Sequence, residues 1–123
     1  MQKREMKIQM PERKKKIFFE MPSVSEFVSG QPDETQKEYH DIVLELENKG
    51  YLNMPTGEKL SGENNLFAIR VIQTANIRVF YSYGKENIIF GLHGYVKKTQ
   101  DIPIHELKQA KRVAKALKQR GVL

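Results

Sequence analysis

The chain has 123 residues, a formal net charge of +6 and no cysteine. This length supports one domain, because two halves would each be too small to bury a stable core. The lack of cysteine excludes disulfides, thiolate metal sites and thiol catalysis. No stretch approaches the roughly 20 apolar residues of a membrane span, and the charged start is unlike a signal peptide. We therefore expect a cytoplasmic protein without membrane contact.

Positive charge is concentrated at the two ends of the chain. Residues 1–16 carry seven Lys and Arg against two acidic side chains, residues 17–96 have a net charge of −5, and residues 97–123 have a net charge of +6. Basic ends around an acidic middle favour a polyanionic partner that is contacted by one region. A flexible basic tail and a solvated helix explain the same distribution. The charge therefore indicates nucleic-acid binding only if a functional site lies beside it.

The first part of the chain is predicted to contain a flexible extension, a strand and a short helical turn. Residues 1–15 are basic and interrupted by Pro11, and we expect them to precede a single domain at residues 16–123. The apolar run at residues 16–20 predicts a strand, and residues 23–30 predict an amphipathic turn.

A long helix is predicted next. Asp33 is the expected N-cap, with Gln36 in the capping-box position, and Gly50 is the expected left-handed end. An apolar stripe at helical spacing lies between these ends: Tyr39, Ile42, Val43 and Leu46. The opposite side carries acidic residues and should face water.

The second half of the chain predicts an antiparallel meander followed by a helix. Residues 53–65 are rich in Gly, Pro and Asn and predict a surface loop. Segments 66–72, 77–83 and 87–97 are rich in Ile, Val, Phe and Tyr, with hairpin-length connections between them. An amphipathic helix over residues 103–120 ends the domain. The sequence therefore predicts an α+β fold, a small antiparallel sheet with an additional N-terminal strand and helices on one face.

Strand alternation sorts the side chains of the meander into two faces. One face is apolar and is expected to lie under the helices: Phe67, Ile69, Val71, Ile77, Val79, Tyr81, Tyr83, Ile88, Phe90, Leu92, Gly94 and Val96. The other face is expected to be open and to hold most of the ionisable groups: Arg70, Arg78, His93, Tyr95 and Lys97. A β-bulge in any strand would change this grouping.

The chemistry of this predicted polar face suits a phosphodiester. No His, Asp and Glu cluster has metal-ligand spacing, and Ser82 has no recognisable His–acid pair, so neither a metal site nor a Ser triad is predicted. Arginine offers a planar fork to phosphate oxygens and stabilises charge developing at phosphorus. A neutral Lys or His could take the proton of an RNA 2′-hydroxyl, and Tyr95 or Phe80 could stack a base.

Each of these residues also has a simpler interpretation. Arg70 and Arg78 could be ordinary sheet charges balanced by Glu58 or Glu63. A lone histidine such as His93 is more often structural, because it can donate to a backbone carbonyl. Adjacent lysines are common on surfaces. The convergence of these residues on one face favours a functional site.

Several motifs resemble a known toxin family. KLSG at residues 59–62 precedes LFAIR at 66–70, RVFY occupies 78–81, and LHGYVKKTQ occupies 92–100, followed by a Pro and an amphipathic helix. This order is similar to the RelE/HigB-type toxins of type II toxin–antitoxin modules, and most like their phage-associated HigB-like branch. The resemblance covers about residues 16–120. Its most specific part is the Lys-Lys-Thr stretch with the Pro and helix that follow.

The resemblance implies a metal-independent mRNA endoribonuclease that acts on ribosome-bound message, needs no cofactor and is neutralised by a helix-turn-helix antitoxin. It implies catalytic roles for Arg70, His93 and Lys97. It also implies RNA or phosphate contacts by four further residues: Lys59, Arg78, Tyr95 and Lys98. The expected partners are the antitoxin, mRNA and the ribosome.

Two alternative functions use the same scaffold. Many ribosome-dependent relatives have a tyrosine near the C-terminus, whereas the last tyrosine here is Tyr95, and Ile102 stands where Thr often precedes the helix-opening Pro. A noncatalytic nucleic-acid or ribosome-binding regulator would account for this departure. The other alternative is a ParE-like toxin that inhibits gyrase.

Overall fold

The computed structural model describes residues 14–123, so most of the predicted flexible extension, residues 1–13, lies outside the described part of the chain. The elements in chain order are β1 Ile17–Glu20, α1 Pro22–Ser29, α2 Asp33–Lys49, β2 Gly57–Lys59, β3 Phe67–Val71, β4 Ile77–Tyr83, β5 Ile88–Val96 and α3 Ile104–Gln119. Within residues 14–123, none of the helices combines the length and apolarity that a membrane span needs.

The strands form one five-stranded mixed sheet in the order β1-β5-β4-β3-β2. The predicted meander β3-β4-β5 is confirmed, and the N-terminal strand β1 joins it by parallel pairing with β5. The α+β class is therefore confirmed, but the sheet is mixed rather than wholly antiparallel. β2 lies inside the predicted loop and pairs with β3. It was missed because three residues, Gly-Glu-Lys, show no apolar alternation.

The helices cover both faces of the sheet. On one face, α1 and α2 supply Val24, Tyr39 and Leu46 to a core that also contains Ile69 and Val79. On the other face, α3 packs on a second core. That second core contains Leu66, Ala68, Phe80, Phe90, Leu92, Ala110 and Leu117. The prediction that all helices lie on one face is therefore wrong for α3.

A β-bulge in β5 explains the second core. Phe80 pairs with His93 but the next residue, Tyr81, pairs with Gly91, so Leu92 is an extra residue between them. The bulge reverses the alternation along β5. Ile88, Phe90 and Leu92 therefore share the face of His93 rather than the face of Ile69, and they need α3 to shield them from water. Gly94 and Val96, predicted with them, lie instead on the face of α1 and α2.

Gly94 allows α1 to approach β5 closely. A Cβ atom at this position would lie 2.5 Å from a ring carbon of Phe27 on α1, which is too short for a real contact. A side chain at position 94 would therefore displace either Phe27 or the strand.

The ends of α2 agree only partly with the prediction. Gly50 ends the helix with φ of 86°, as expected for a left-handed cap. At the other end Pro32, not Asp33, is the N-cap, and no side chain caps the helix. The Gln36 side chain donates to the carbonyl oxygen of Gln31 at 2.9 Å, so the predicted capping box is wrong.

Glu38 fastens the β3–β4 hairpin to α2. Its carboxylate accepts hydrogen bonds from the backbone N–H groups of Ile72, Gln73 and Thr74 at 2.8–3.1 Å, and from the Thr74 hydroxyl at 2.7 Å. Partial burial raises the pKa of Glu38, but these hydrogen bonds outweigh it and hold the pKa below the ordinary value of 4.5. One carboxylate thus satisfies three backbone donors of a turn.

Replacing Glu38 with Gln should lower the free energy of unfolding by about 1 kcal/mol at neutral pH, because the charge-assisted bonds are lost at a partly solvated site. A carboxylate with a lowered folded pKa stabilises the fold above its unfolded pKa, and this contribution disappears as pH falls through the folded value. In urea unfolding, the wild type should have a higher free energy of unfolding than the Gln variant above pH 4.5, and this difference should disappear on further acidification.

The control is Glu45→Gln, which removes only an exposed ion pair to Lys49 on the same helix. It should change the free energy of unfolding by less than about 0.5 kcal/mol. Equal stability of the Glu38 and Glu45 variants at neutral pH would contradict the role assigned to Glu38.

Candidate RNA phosphate site

Sheet register brings four of the predicted site residues to one face. Arg70 of β3 pairs with Arg78 of β4, and Arg78 pairs in turn with Tyr95 of β5. His93 lies two residues before Tyr95 on the same strand and pairs with Phe80. The predicted grouping of Arg70, Arg78, His93 and Tyr95 is therefore observed. Their face is not fully open, however, because α3 covers its apolar half.

The two arginines differ in their surroundings. Arg78 is only 4% exposed, and its Nη1 donates to the Asn76 side chain at 3.0 Å and to the Ile77 carbonyl at 3.1 Å. Burial, and then the charge of Arg70, lower the pKa of Arg78. Arg70 is partly exposed, donates to the Pro55 carbonyl and lies 3.9 Å from the Glu58 carboxylate. Their adjacency leaves a concentration of positive charge at the end of the sheet.

Two buried polar atoms of this cluster have no hydrogen-bond partner within residues 14–123: Nε of Arg78 and the hydroxyl of Tyr95. Tyr95 is 4% exposed, and burial raises the pKa of its hydroxyl. Unpaired buried polar groups cost free energy, so they are uncommon in native structures and call for a reason. The two residues pair with each other in the sheet, so both donors lie on the same face.

Three aromatic rings pack beside the arginines with nearly parallel planes. The ring centroids of Phe80, His93 and Tyr95 are 5.6–6.5 Å apart, with interplanar angles of 9–20°. Phe80 is fully buried and Tyr95 nearly so. Neither ring presents a free face, so the predicted stacking of a base on Tyr95 or Phe80 is not available in this arrangement. The Tyr95 hydroxyl is buried as well, so Tyr95 offers no exposed group to a ligand.

His93 contacts a residue that the sequence did not single out. Its Nε2 lies 2.6 Å from Oε1 of Glu106 in the first turn of α3. The two side chains are 20% and 21% exposed. The contact places an imidazole and a carboxylate beside the buried arginine cluster.

Lys97 and Lys98 extend the positive charge beyond β5. The backbone of Lys97 is fixed by two hydrogen bonds with Asn76, one from Lys97 N–H to the Asn76 carbonyl and one from the Asn76 amide to the Lys97 carbonyl. An open cleft lies here, lined by Asn76, Arg78, Lys97, Lys98, Thr99 and Gln100. Arg78 is thus the floor of a cleft whose rim carries two lysines.

Lys59 is not part of this cluster. It pairs with Phe67 in β2–β3, and its ammonium lies 5.9 Å from the centre of the Phe67 ring, on the face covered by α2. Its neighbour Glu58 points to the other face and reaches Arg70. The geometry therefore does not support a shared phosphate contact between Lys59 and the arginines.

The chemistry available at the site is anion binding together with proton transfer. In the described part of the chain, no group of three His, Cys, Asp or Glu side chains could hold a metal ion. Arg78 and two lysines line one cleft, and the His93–Glu106 pair lies next to Tyr95, the sheet partner of Arg78.

A family model for phage-derived Gp49-like proteins (DUF891) matches residues 26–115. The chain belongs to this family. Gp49-like proteins are a RelE-like, toxin-like family and are generally associated with the toxins of toxin–antitoxin modules. No curated protein is significantly similar to the chain.

The match to the Gp49-like family contains the whole candidate site. It spans α2, strands β2 to β5 and most of α3, and it therefore includes Arg70, Arg78, Tyr95 and the His93–Glu106 pair. Glu106 and Asn76 were missed in the sequence because neither lies on the polar face of a predicted strand. The only feature of the sequence that points to Glu106 is its position in the first turn of a predicted helix.

Removing the Tyr95 hydroxyl should not destabilise this Gp49-like protein. Tyr95→Phe should leave the free energy of unfolding unchanged or raise it by up to about 1 kcal/mol, because an unpaired buried hydroxyl is eliminated. The matched control is Tyr39→Phe, whose hydroxyl donates to Glu20 at 2.6 Å. The control should lose about 1–2 kcal/mol in urea unfolding. Equal destabilisation of both variants would mean that the Tyr95 hydroxyl is paired in the free protein.

Proposed function

We propose that the protein is the toxin of a type II toxin–antitoxin module, similar to the HigB-like branch, and that it cleaves ribosome-bound mRNA without a metal ion. The observation that carries the proposal is the buried Arg78, which lines a lysine-rimmed cleft and pairs across the sheet with Arg70 and Tyr95. Two adjacent arginines repel each other in the free protein, whereas a phosphodiester bound in the cleft would neutralise this positive charge.

The geometry supports separate roles for the charged residues of the site. Arg78 and Arg70 would bind the scissile phosphate and stabilise the charge that develops there. Lys97 and Lys98, on the rim, would contact neighbouring phosphates of the strand. The RNA 2′-hydroxyl would attack its own phosphate and leave a 2′,3′-cyclic phosphate and a 5′-hydroxyl. This chemistry needs the 2′-hydroxyl, so DNA would not be a substrate.

The expected partners follow from the same proposal. A strand threaded over an open cleft needs to be held in place, and the ribosome would hold the mRNA in an extended, accessible form. The exposed cations on the outer side of α3 would favour contact with ribosomal RNA: Lys108, Lys111, Arg112, Lys115 and Lys118. A helix-turn-helix antitoxin would neutralise the activity.

A noncatalytic regulator is the second candidate, and one observation favours it. Many ribosome-dependent toxins of the RelE/HigB type have a tyrosine near the C-terminus, whereas the last tyrosine of this chain is Tyr95 and its ring is buried. A regulator of this kind would bind ribosomes or RNA with a steep salt dependence and leave the message intact. The two candidates differ in whether cleaved mRNA appears.

Induced expression of the protein should arrest growth and produce mRNA with 5′-hydroxyl ends at new cleavage sites. Arg70→Ala should lower the cleavage rate about 100-fold in a translation extract, because it removes a cation at the scissile phosphate. Lys97→Ala should also lower the rate, because it removes a cation that holds a neighbouring phosphate of the strand. The control is Lys37→Ala, which removes an exposed lysine on α2 that pairs with Asp41, and it should remain toxic.

Circular dichroism should show that all three variants fold. Growth arrest with intact mRNA and loss of DNA supercoiling would instead indicate a ParE-like action on gyrase. Normal growth with salt-dependent ribosome binding would indicate the regulator. Either result would overturn the ribonuclease proposal.

A further inference from the structure

The contact between His93 and Glu106 fixes the orientation of the imidazole ring. Nε2 and Oε1 are 2.6 Å apart, slightly shorter than the usual charge-assisted N–H···O hydrogen bond. Glu106 is itself held in place, because its backbone N–H donates to the Pro103 carbonyl in the first turn of α3. Phe80 and Tyr95 pack with their planes nearly parallel to the imidazole. The ring therefore has little freedom to turn.

The same contact selects one tautomer of His93. An ionised carboxylate can only accept a hydrogen bond, so the proton of a neutral imidazole must be on Nε2. Nδ1 then carries the free lone pair. Within residues 14–123, Nδ1 has no hydrogen-bond partner of its own. His93 is therefore a base with an unoccupied lone pair. It lies on the same strand as Tyr95, and Tyr95 pairs with Arg78 of β4.

His105 also touches the Glu106 carboxylate, but in a different way. Its Nε2 lies 3.3 Å from the second oxygen, Oε2, and its side chain is 79% exposed. Contacts of this kind at a solvated surface contribute little. The two histidines thus make one partly buried contact and one exposed contact to the same carboxylate, and His105 is a natural control.

We propose that Glu106 is a positioning residue. It holds the His93 ring so that Nδ1 accepts the proton of the RNA 2′-hydroxyl, and this role rests on the proposed ribonuclease function. The proton moves to Nδ1, the 2′-oxygen forms a bond to phosphorus, and the bond between phosphorus and the 5′-oxygen breaks. The departing 5′-oxygen takes a proton from water, and the imidazolium later returns its proton to solvent. Glu106 stabilises the imidazolium formed in the first step.

The tautomer of His93 tests the positioning role without any measurement of activity. The protein contains three histidines, and ¹⁵N-labelled imidazole resonances in the full chain report which nitrogen carries the proton. In the wild type, His93 should be protonated at Nε2 and free at Nδ1 at neutral pH. Glu106→Ala should give a mixture of tautomers, whereas Glu106→Gln should keep the wild-type tautomer, because its amide oxygen can still accept from Nε2.

Cleavage of ribosome-bound mRNA tests the catalytic consequence. His93→Ala and Glu106→Ala should each lower the rate at saturating substrate about 100-fold, and Glu106→Gln should retain an intermediate rate. The binding of uncleavable mRNA with 2′-deoxy linkages should change little in all three variants. His105→Gln, the control, should match the wild type in rate and in His93 tautomer.

The outcomes separate this inference from the proposed function. An active wild type with unchanged turnover in Glu106→Ala, at equal folded fraction, would overturn the positioning role and leave the ribonuclease proposal standing. A His93 with its proton on Nδ1 in the wild type would overturn it as well. An inactive wild type would overturn the ribonuclease proposal and, with it, the catalytic use of the pair.

Discussion

The bulge at Leu92 is the constraint on which the second core and the candidate site depend. Without it, strict alternation would put Leu92 and Phe90 on the face opposite His93, and the apolar surface under α3 would lose both side chains. With it, one face of β5 carries an apolar half under α3 and a polar half at the end of the strand. The helix that shields the apolar half brings Glu106 to His93. Core packing and the His93–Glu106 pair are therefore consequences of one extra residue.

Burial of Arg78 lowers the stability of the fold, and the rest of the structure has to offset this loss. Removing a guanidinium from water is expensive unless its donors are paired, and the Nε of Arg78 has no partner among residues 14–123. The cores on both sides of the sheet supply the stability that permits this. Glu38 and Glu47 add to it by tying backbone N–H groups of the hairpin and of β1 to α2. Stability and site chemistry are thus carried by different residues, which lets the site remain incomplete in the free protein.

Much of the fold was predictable because local sequence patterns determine it. The long helix, its glycine end and the meander follow from apolar spacing and turn residues, and β4 has the predicted bounds at Ile77–Tyr83. The placement of α3 and the strand β2 was not predictable in the same way. A bulge leaves no mark in the alternation of a strand as uniformly apolar as residues 88–92. The three-residue β2 exists because β3 offers it an edge, not because of its own composition.

The site was predictable only as far as backbone register determines it. Arg70, Arg78, His93 and Tyr95 lie together because paired residues of neighbouring strands share a face, and that relation survives the bulge. Burial does not follow from register, so the loss of the Tyr95 and Phe80 rings as stacking surfaces could not be foreseen. Glu106 illustrates the same limit. Its 13-residue separation from His93 spans a turn and a helix start, and only tertiary packing brings the two side chains to 2.6 Å.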